Sequence, residues 1–339
     1  MEENFMSQQV KYYGYTGDLV LQDTDLLELN YFSEIKKICI DESIGLIVNL
    51  ESPFIYKEFI TIKDKVCLGA NQRNVDKLHY LSPKLINLSN NHINDFGNDG
   101  VQLTLKVLLN NNFNSFGVGK RGDIKIIDNT ADNLINMAFT LRSSDQSGSL
   151  LFATDQVYGP SDLDLELISE VKKNNATKNL VVSVHWGTED ISIPDRETRI
   201  IARKIIDAGA DLVIGHHPHI VQPLEIYKEK MIFYSVGNFY FPDIKYSFRN
   251  KIVEKKTMKH QLIGIVPVFD FSDTVRLVKI YEIRNNDQKQ IVRIIKPKKL
   301  IKSKIYYSFF PILYKKNESM RLAKYYSQRL VEKITSCFH

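Results

Sequence analysis

Short runs of strand-type residues recur as far as residue 240 of this 339-residue chain, each closed by a polar or glycine-bearing turn and followed by an amphipathic stretch. The runs fall at 12–16, 45–49, 85–88, 180–185, 212–215 and 231–235, and most are rich in β-branched, aliphatic or aromatic side chains. At that length and composition they read as strands. Between them, 100–110 carries Val101, Leu105, Leu108 and Leu109, and 196–208 carries Ile200, Ile201, Ile205 and Ala208. Both read as helices, the second with Asp195 as N-cap and Gly209 just past its end. Strands alternating with helices predict α/β layers.

After residue 244 the pattern changes. Residues 261–271, 275–284 and 290–295 read as strands, with Asn285, Asn286 and Asp287 as a turn, and predict a hairpin-rich sheet packed on the core. An apolar run at 305–314, broken by Pro311, lies between Lys302, Lys304, Lys315 and Lys316. A terminal helix follows, with Ala323, Tyr326, Leu330 and Ile334 on one stripe. The expected division is a main domain over 1–299 and a basic, aromatic segment with a C-terminal helix over 300–339.

The charge balance, 45 basic against 40 acidic residues, leaves a net +5 that is too small to point to nucleic acid. Cys39, Cys67 and Cys337 are an odd, scattered set with neither disulfide-framework nor zinc-ribbon spacing. They fit a reducing compartment. The N-terminus MEENFMSQQV lacks the basic start and apolar run of a signal peptide, and no stretch approaches the roughly 18 apolar residues of a membrane helix. The expectation is a cytoplasmic protein, or one peripheral at a membrane.

The chemistry gathers where strands end. Asp18 follows the first run, Asn49 and Glu51 close the second, and Asn90, Asn91 and His92 close the third. His185 and Glu189 follow the fourth, His216, His217 and His219 the fifth, and Asn238 the sixth. Open α/β sheets build their sites at such ends. Residues two apart on an extended chain point the same way, so His217 and His219 can face one centre, as can Asn49 and Glu51. Carboxylate, imidazole and amide donors without thiolate suit Mn, Zn or Fe(II). Two carboxylates, one amide and three imidazoles exceed one tetrahedral zinc and fit two metals sharing a bridge.

Each residue also has a plainer reading. Asp18 after Gly17 reads equally as a turn residue, Glu51 as a solvated loop charge, Asn90–Asn91 as a turn and His185 as a core histidine. Three histidines within His216–His219 resist a purely structural reading. His79, His260 and His339 stand apart from the other groups and read as surface or structural.

The strings GD at 17, NLESP at 49, LSNNHINDFGNDG at 88, VSVHWGTE at 182, GADLVIGHHPHIVQ at 209 and YSVGNF at 234 resemble the CapA-like branch of the calcineurin-like metallophosphatase superfamily. That branch is associated with capsule and poly-γ-glutamate biosynthesis. The resemblance spans 12–243 and implies a metallophosphatase-like four-layer α-β-β-α sandwich with two facing mixed sheets, followed here by a helical tail. It implies two divalent cations, with Asp18 on the first, Glu51 bridging, Asn91, His185 and His217 on the second, and His219 returning to the first. By the same resemblance His92 protonates a leaving group, while Asn90, Glu189, His216 and Asn238 line the site. Ordinary metallophosphatases carry D-x-H at the first strand, whereas this chain has Asp18–Leu19–Val20.

The implied function is a dinuclear-metal hydrolase of phosphoesterase type in surface-polymer biosynthesis. The alternative is a non-catalytic metal-binding accessory subunit of a synthesis or export complex. Implied partners are a polyanionic surface polymer or its precursor and a membrane-associated synthase, with the run 302–316 either touching a membrane face or packing on the chain's own sheet. A general nucleotide phosphodiesterase is a third reading, raised by fold analogy alone.

Overall fold

The computed structural model describes residues 10–22, 29–56, 65–122, 126–129, 132–145, 147–248, 251–300 and 319. The expected tail segment and terminal helix lie outside the described residues apart from residues 300 and 319, as does Cys337.

Two mixed sheets face each other. The first runs in the order Gln290–Ile295, Arg276–Asn285, Ile263–Asp270, Tyr12–Leu19, Ile44–Leu50, Leu85–Asn87, Ser115–Phe116, and Asn238–Tyr240 also pairs with Tyr12–Leu19. The second runs Leu224–Tyr227, Lys230–Phe233, Leu212–His216, Asn179–His185, Leu134–Thr140, Ile127–Asn129. The second sheet is parallel along its middle and antiparallel at both ends, whereas the first is antiparallel from Gln290–Ile295 to Tyr12–Leu19 and parallel from there to Ser115–Phe116.

Alternation within single strands explains the layering. In Ile44–Leu50, Ile47 points between the sheets, whereas Leu46, Val48 and Leu50 pack outward. In Asn179–His185, Val181 points inward, and Leu180, Val182 and Val184 pack outward. Both faces of these strands are covered, so they read as continuous apolar runs. The inner layer joins Tyr13, Leu85 and Phe116 of one sheet to Leu134, Leu212 and Phe233 of the other. Tyr15 Oη donates to Asn136 Oδ1 across it at 2.7 Å. Helices Ser33–Asp41, Val75–Leu81 and Gly97–Asn110 cover the first sheet, and Leu165–Asn174 and Arg196–Asp207 cover the second. The result is the expected four-layer α-β-β-α sandwich. Among the described residues, no helix is long and apolar enough to cross a membrane.

The predicted elements recur with corrections. The strands after residue 244 do not form a separate packed sheet. Ile263–Asp270 pairs antiparallel with Tyr12–Leu19 and extends the first sheet. Residues 244–248 and 251–255 form a hairpin. Leu109 is 71 % exposed and Ile200 44 % exposed, so neither lies on its helix's buried stripe. Leu103 and Thr104 bury in the first helix, and Thr198, Ala202, Ile205 and Ile206 in the second. Asp195 caps its helix as expected, accepting from Thr198 N at 2.7 Å. Leu134–Thr140, central in the second sheet, has no counterpart among the predicted strands.

Candidate metal centre

The carboxyl ends of the two sheets' parallel strands meet along one seam. Asp18 lies inside its strand, where the register with Ile44–Leu50 shifts between Tyr15 and Asp18. Gly17 makes that position possible, because a Cβ there would stand 2.0 Å from Gly237 O. Glu51 follows the second strand directly. Residues 90–92 follow Leu85–Asn87, and His185 and His216 end paired strands in register with each other.

Asp18 is fully buried and held on every side. Its Oδ1 accepts from Asn49 Nδ2 at 2.7 Å and lies 3.3 Å from His216 Nδ1. Its Oδ2 accepts from His217 N at 3.2 Å and lies 3.2 Å from His219 Nδ1. Asn49 therefore serves Asp18 rather than facing the centre beside Glu51. His219 Nδ1 also lies 3.0 Å from Asn238 Oδ1. Asn238 Nδ2 donates to Gln261 O at 2.9 Å, which fixes Oδ1 toward the histidine.

Glu51 sits at the middle, its Oε1 3.5 Å from His185 Nε2 and 4.0 Å from His219 Nε2. Asn91 donates Nδ2 to Ser144 O at 3.0 Å and turns Oδ1 to His185 Nε2 at 2.8 Å. Asn90 is a loop lock: its Nδ2 donates to Leu50 O at 2.9 Å and its Oδ1 accepts from His92 N at 3.1 Å. His217 and His219 do not gain their common direction from an extended chain. Both have left-handed φ, 94° and 56°, so a turn aims their rings.

Three groups bring candidate ligand atoms within 4.8 Å of one another: Glu51, His185 and His217; Glu189, His217 and His219; and Asp18, Glu51 and His219. Both oxygens of Glu51, Nδ1 of His185 and both ring nitrogens of His217 are buried without a hydrogen-bond partner. Unsatisfied polar atoms at that depth are destabilising, so their convergence fits a divalent cation.

Charge coupling points the same way. Burial favours the neutral form of Asp18, yet its bonds to His216 and His219 hold its pKa well below the carboxylate range. Burial, then Asp18, push that of Glu51 well up. Burial and His217 hold His185 well below the imidazole range, and burial takes His217 down to about 3. At His219 burial is outweighed by Glu51 and Asp18, which raise it to about 10. Burial also opposes ionisation of Glu189, yet Lys255 and the neighbouring imidazoles bring it to about 2.

Beside this cluster, His92 Nδ1 lies 2.6 Å from Asp95 Oδ2. Lys65 Nζ meets Asp95 Oδ1 at 2.7 Å and donates to Asn91 O at 2.6 Å. Asp95 was legible in LSNNHINDFGNDG, three residues past His92. Lys65 has no sequence signal. Neither does Phe241, whose ring meets His219 edge-on at 4.8 Å. His260, read as peripheral, lies 3.0 Å from Asp190 Oδ1 beside the site.

The family model described as "Bacterial capsule synthesis protein PGA_cap" matches residues 16–243. The "PGA biosynthesis protein CapA" of Bacillus subtilis is 36% identical over 200 residues, covering 57% of this chain and 52% of that protein. The "Capsule biosynthesis protein CapA" of Bacillus anthracis is 33% identical over 204 residues, covering 57% and 49%. The matched stretch thus spans about half the length of these relatives. A solved structure described as a novel phosphatase from Mycoplasma pneumoniae aligns over 85% of this chain and 93% of its own, with 11% identity and a TM-score of 0.47.

Proposed function

The chain belongs to the bacterial capsule synthesis PGA_cap family, and from that premise we propose that it is a cation-dependent hydrolase of phosphoesterase type serving capsule or poly-γ-glutamate production. The observation that carries this reading is the set of buried, unpartnered ligand atoms of Glu51, His185 and His217 gathered at one strand-end seam. In this reading Glu51, Asn91, His185 and His217 would hold one divalent cation, and Glu51, Asp18 and His219 would hold the other. Mn, Zn and Fe(II) suit these donors.

When bound, the cations supply positive charge against a developing oxyanion and bring the pKa of a water toward neutrality. The chain's own contribution is orientation and proton transfer. Asp18, gripped by Asn49, His216, His219 and the backbone of His217, fixes the turn that carries His217 and His219. Asp95 accepts from His92 Nδ1, which leaves Nε2 to carry the proton for a leaving group. A positioned proton donor of this kind is typically worth about 10²–10⁴-fold in rate. Lys65, reaching in from a separate segment, fixes Asp95 in place through its ion pair at 2.7 Å.

The alternative is a metal-binding accessory role in polymer synthesis. It draws support from a Mycobacterium tuberculosis relative named "Probable polyglutamine synthesis accessory protein", 27% identical over 206 residues. The tail 300–339, with its basic, aromatic run, is proposed as a separate segment available to a membrane-associated synthase in either role.

The deciding test is elemental analysis of the purified chain beside a His217→Ala/His219→Ala variant, followed by a phosphoester screen with His92→Ala. About two cation equivalents, lost in the double variant, are expected. Absence of cation from the wild type after reconstitution removes the hydrolase reading. Polymer production that survives His92→Ala with cation retained favours the accessory role.

A further inference from the structure

Glu189 stands beside the cluster, four residues past His185. We propose that Glu189 is a cation-ligating residue and that Lys255 competes with the cation for it; this rests on the metal-centre reading above. A Glu189 oxygen lies within 4.8 Å of ring nitrogens of His217 and His219, and both nitrogens of His217 are buried without a hydrogen-bond partner. The glutamate is not a wandering surface side chain. It stands on a turn with left-handed Gly187 and Asp190, and Asp190 N donates to Pro218 O at 2.9 Å. That bond fastens the Glu189 turn to the turn bearing the two histidines. Asp190 Oδ1 is held in addition by His260 Nε2 at 3.0 Å and accepts from Gln261 Nε2 at 2.9 Å. The backbone under Glu189 is thus braced from two directions, as a ligand's support must be.

Lys255, at the end of the hairpin strand Lys251–Lys255, places Nζ 3.6 Å from Glu189 Oε2. At that separation it is an ion pair rather than a close hydrogen bond. The two side chains remain 38 % and 31 % exposed, so screened attraction holds them and the pair is weak. A divalent cation held by Glu189, His217 and His219 would carry twice the charge of the ammonium and would outcompete it for the carboxylate. Lys255 and the cation then compete for the charge of Glu189, and removal of Lys255 shifts the balance toward the cation.

Two single variants separate this from a purely structural ion pair. The full chain is stripped with chelator and titrated calorimetrically with Mn²⁺ as wild type, Glu189→Gln and Lys255→Met. Circular dichroism melting in chelator verifies that each variant is folded. Glu189→Gln is expected to weaken binding at one position by at least about tenfold. Lys255→Met is expected to tighten the same position severalfold. Unchanged binding in Glu189→Gln, or weaker binding in Lys255→Met, overturns the proposal while leaving the centre intact. A wild type that takes up no Mn²⁺ overturns the metal-centre reading itself, and this proposal with it.

Discussion

Replacing Glu51 by Gln should stabilise the cation-free protein and abolish stabilisation by cation. Glu51 is fully buried, and neither carboxylate oxygen has a hydrogen-bond partner. Each unsatisfied buried polar atom costs about 1–3 kcal/mol. Burial and Asp18 also disfavour its charged form. The amide removes the charge and replaces one orphaned oxygen by an N–H donor that can turn to His219 Nε2, 4.0 Å from Oε1, so a gain of about 1.5 kcal/mol is expected. At roughly 2.1 cal/mol/K per residue, the unfolding entropy of this chain is about 0.7 kcal/mol/K, and the gain becomes about 2 °C in Tm. Cation at about 100 times its Kd stabilises the wild type by about 2.7 kcal/mol, or about 4 °C, and the variant by nothing. The order of the two melting temperatures therefore inverts between chelator and Mn²⁺ in a calorimetric scan. A variant that melts well below the wild type in chelator would show that Glu51 is satisfied in the cation-free fold, and the reasoning from orphaned oxygens would fail.

The chain's single tryptophan, Trp186, is buried next to His185, so Mn²⁺ should quench its emission saturably; a flat titration contradicts a cation at His185. Asp195→Ala removes the cap on Thr198 N and should cost about 1 kcal/mol, read as a small fall in Tm with cation binding unchanged. Asp211 accepts from Lys172 Nζ, Lys230 Nζ and Leu180 N, and these bonds outweigh burial to hold its pKa below its ordinary 3.8. Its contribution is therefore present above that value and lost as pH falls through the depressed one, so Asp211→Asn should lower stability at pH 7 by about 1–3 kcal/mol and converge with wild type in strong acid. Gly215→Ala would set a Cβ 2.0 Å from Tyr234 O and 2.6 Å from Trp186 Nε1, and should lower both Tm and cation uptake.

Periodicity located most of the strands that carry the site because they are buried on both faces and read as short apolar runs, while Tyr12–Leu19, broken by Gly14 and Thr16, showed through its tyrosines. The same rule passed over Leu134–Thr140, whose run LINMAFT is interrupted by Asn136, a buried polar residue satisfied by Tyr15 across the layers. Helical spacing misassigned Leu109 and Ile200, since apolar spacing marks more than one possible stripe and only the neighbouring sheet selects one. Among candidate site residues, the HxH pair was legible, but its geometry was not: left-handed turns, invisible to spacing, aim the rings. Asn49 paired by eye with Glu51 yet serves Asp18. Lys65 and Lys255 were illegible because each reaches the centre from a segment whose local pattern carries no chemistry.

Tyr12–Leu19 lies in the interior of the first sheet, and its antiparallel neighbour there is Ile263–Asp270, with Tyr13 opposite Phe269. The first of the described strands in chain order is therefore among the last to be completed. Until the nascent chain has passed residue 240, the Asp18 end of that strand lacks its neighbour Asn238–Tyr240, and until it has passed residue 270 the Tyr13 end lacks Ile263–Asp270. Asn238, which steadies His219, arrives only shortly before. Uptake of cation at the proposed centre would consequently be a late event in biogenesis, and a chain released early would expose an unpaired edge to self-association.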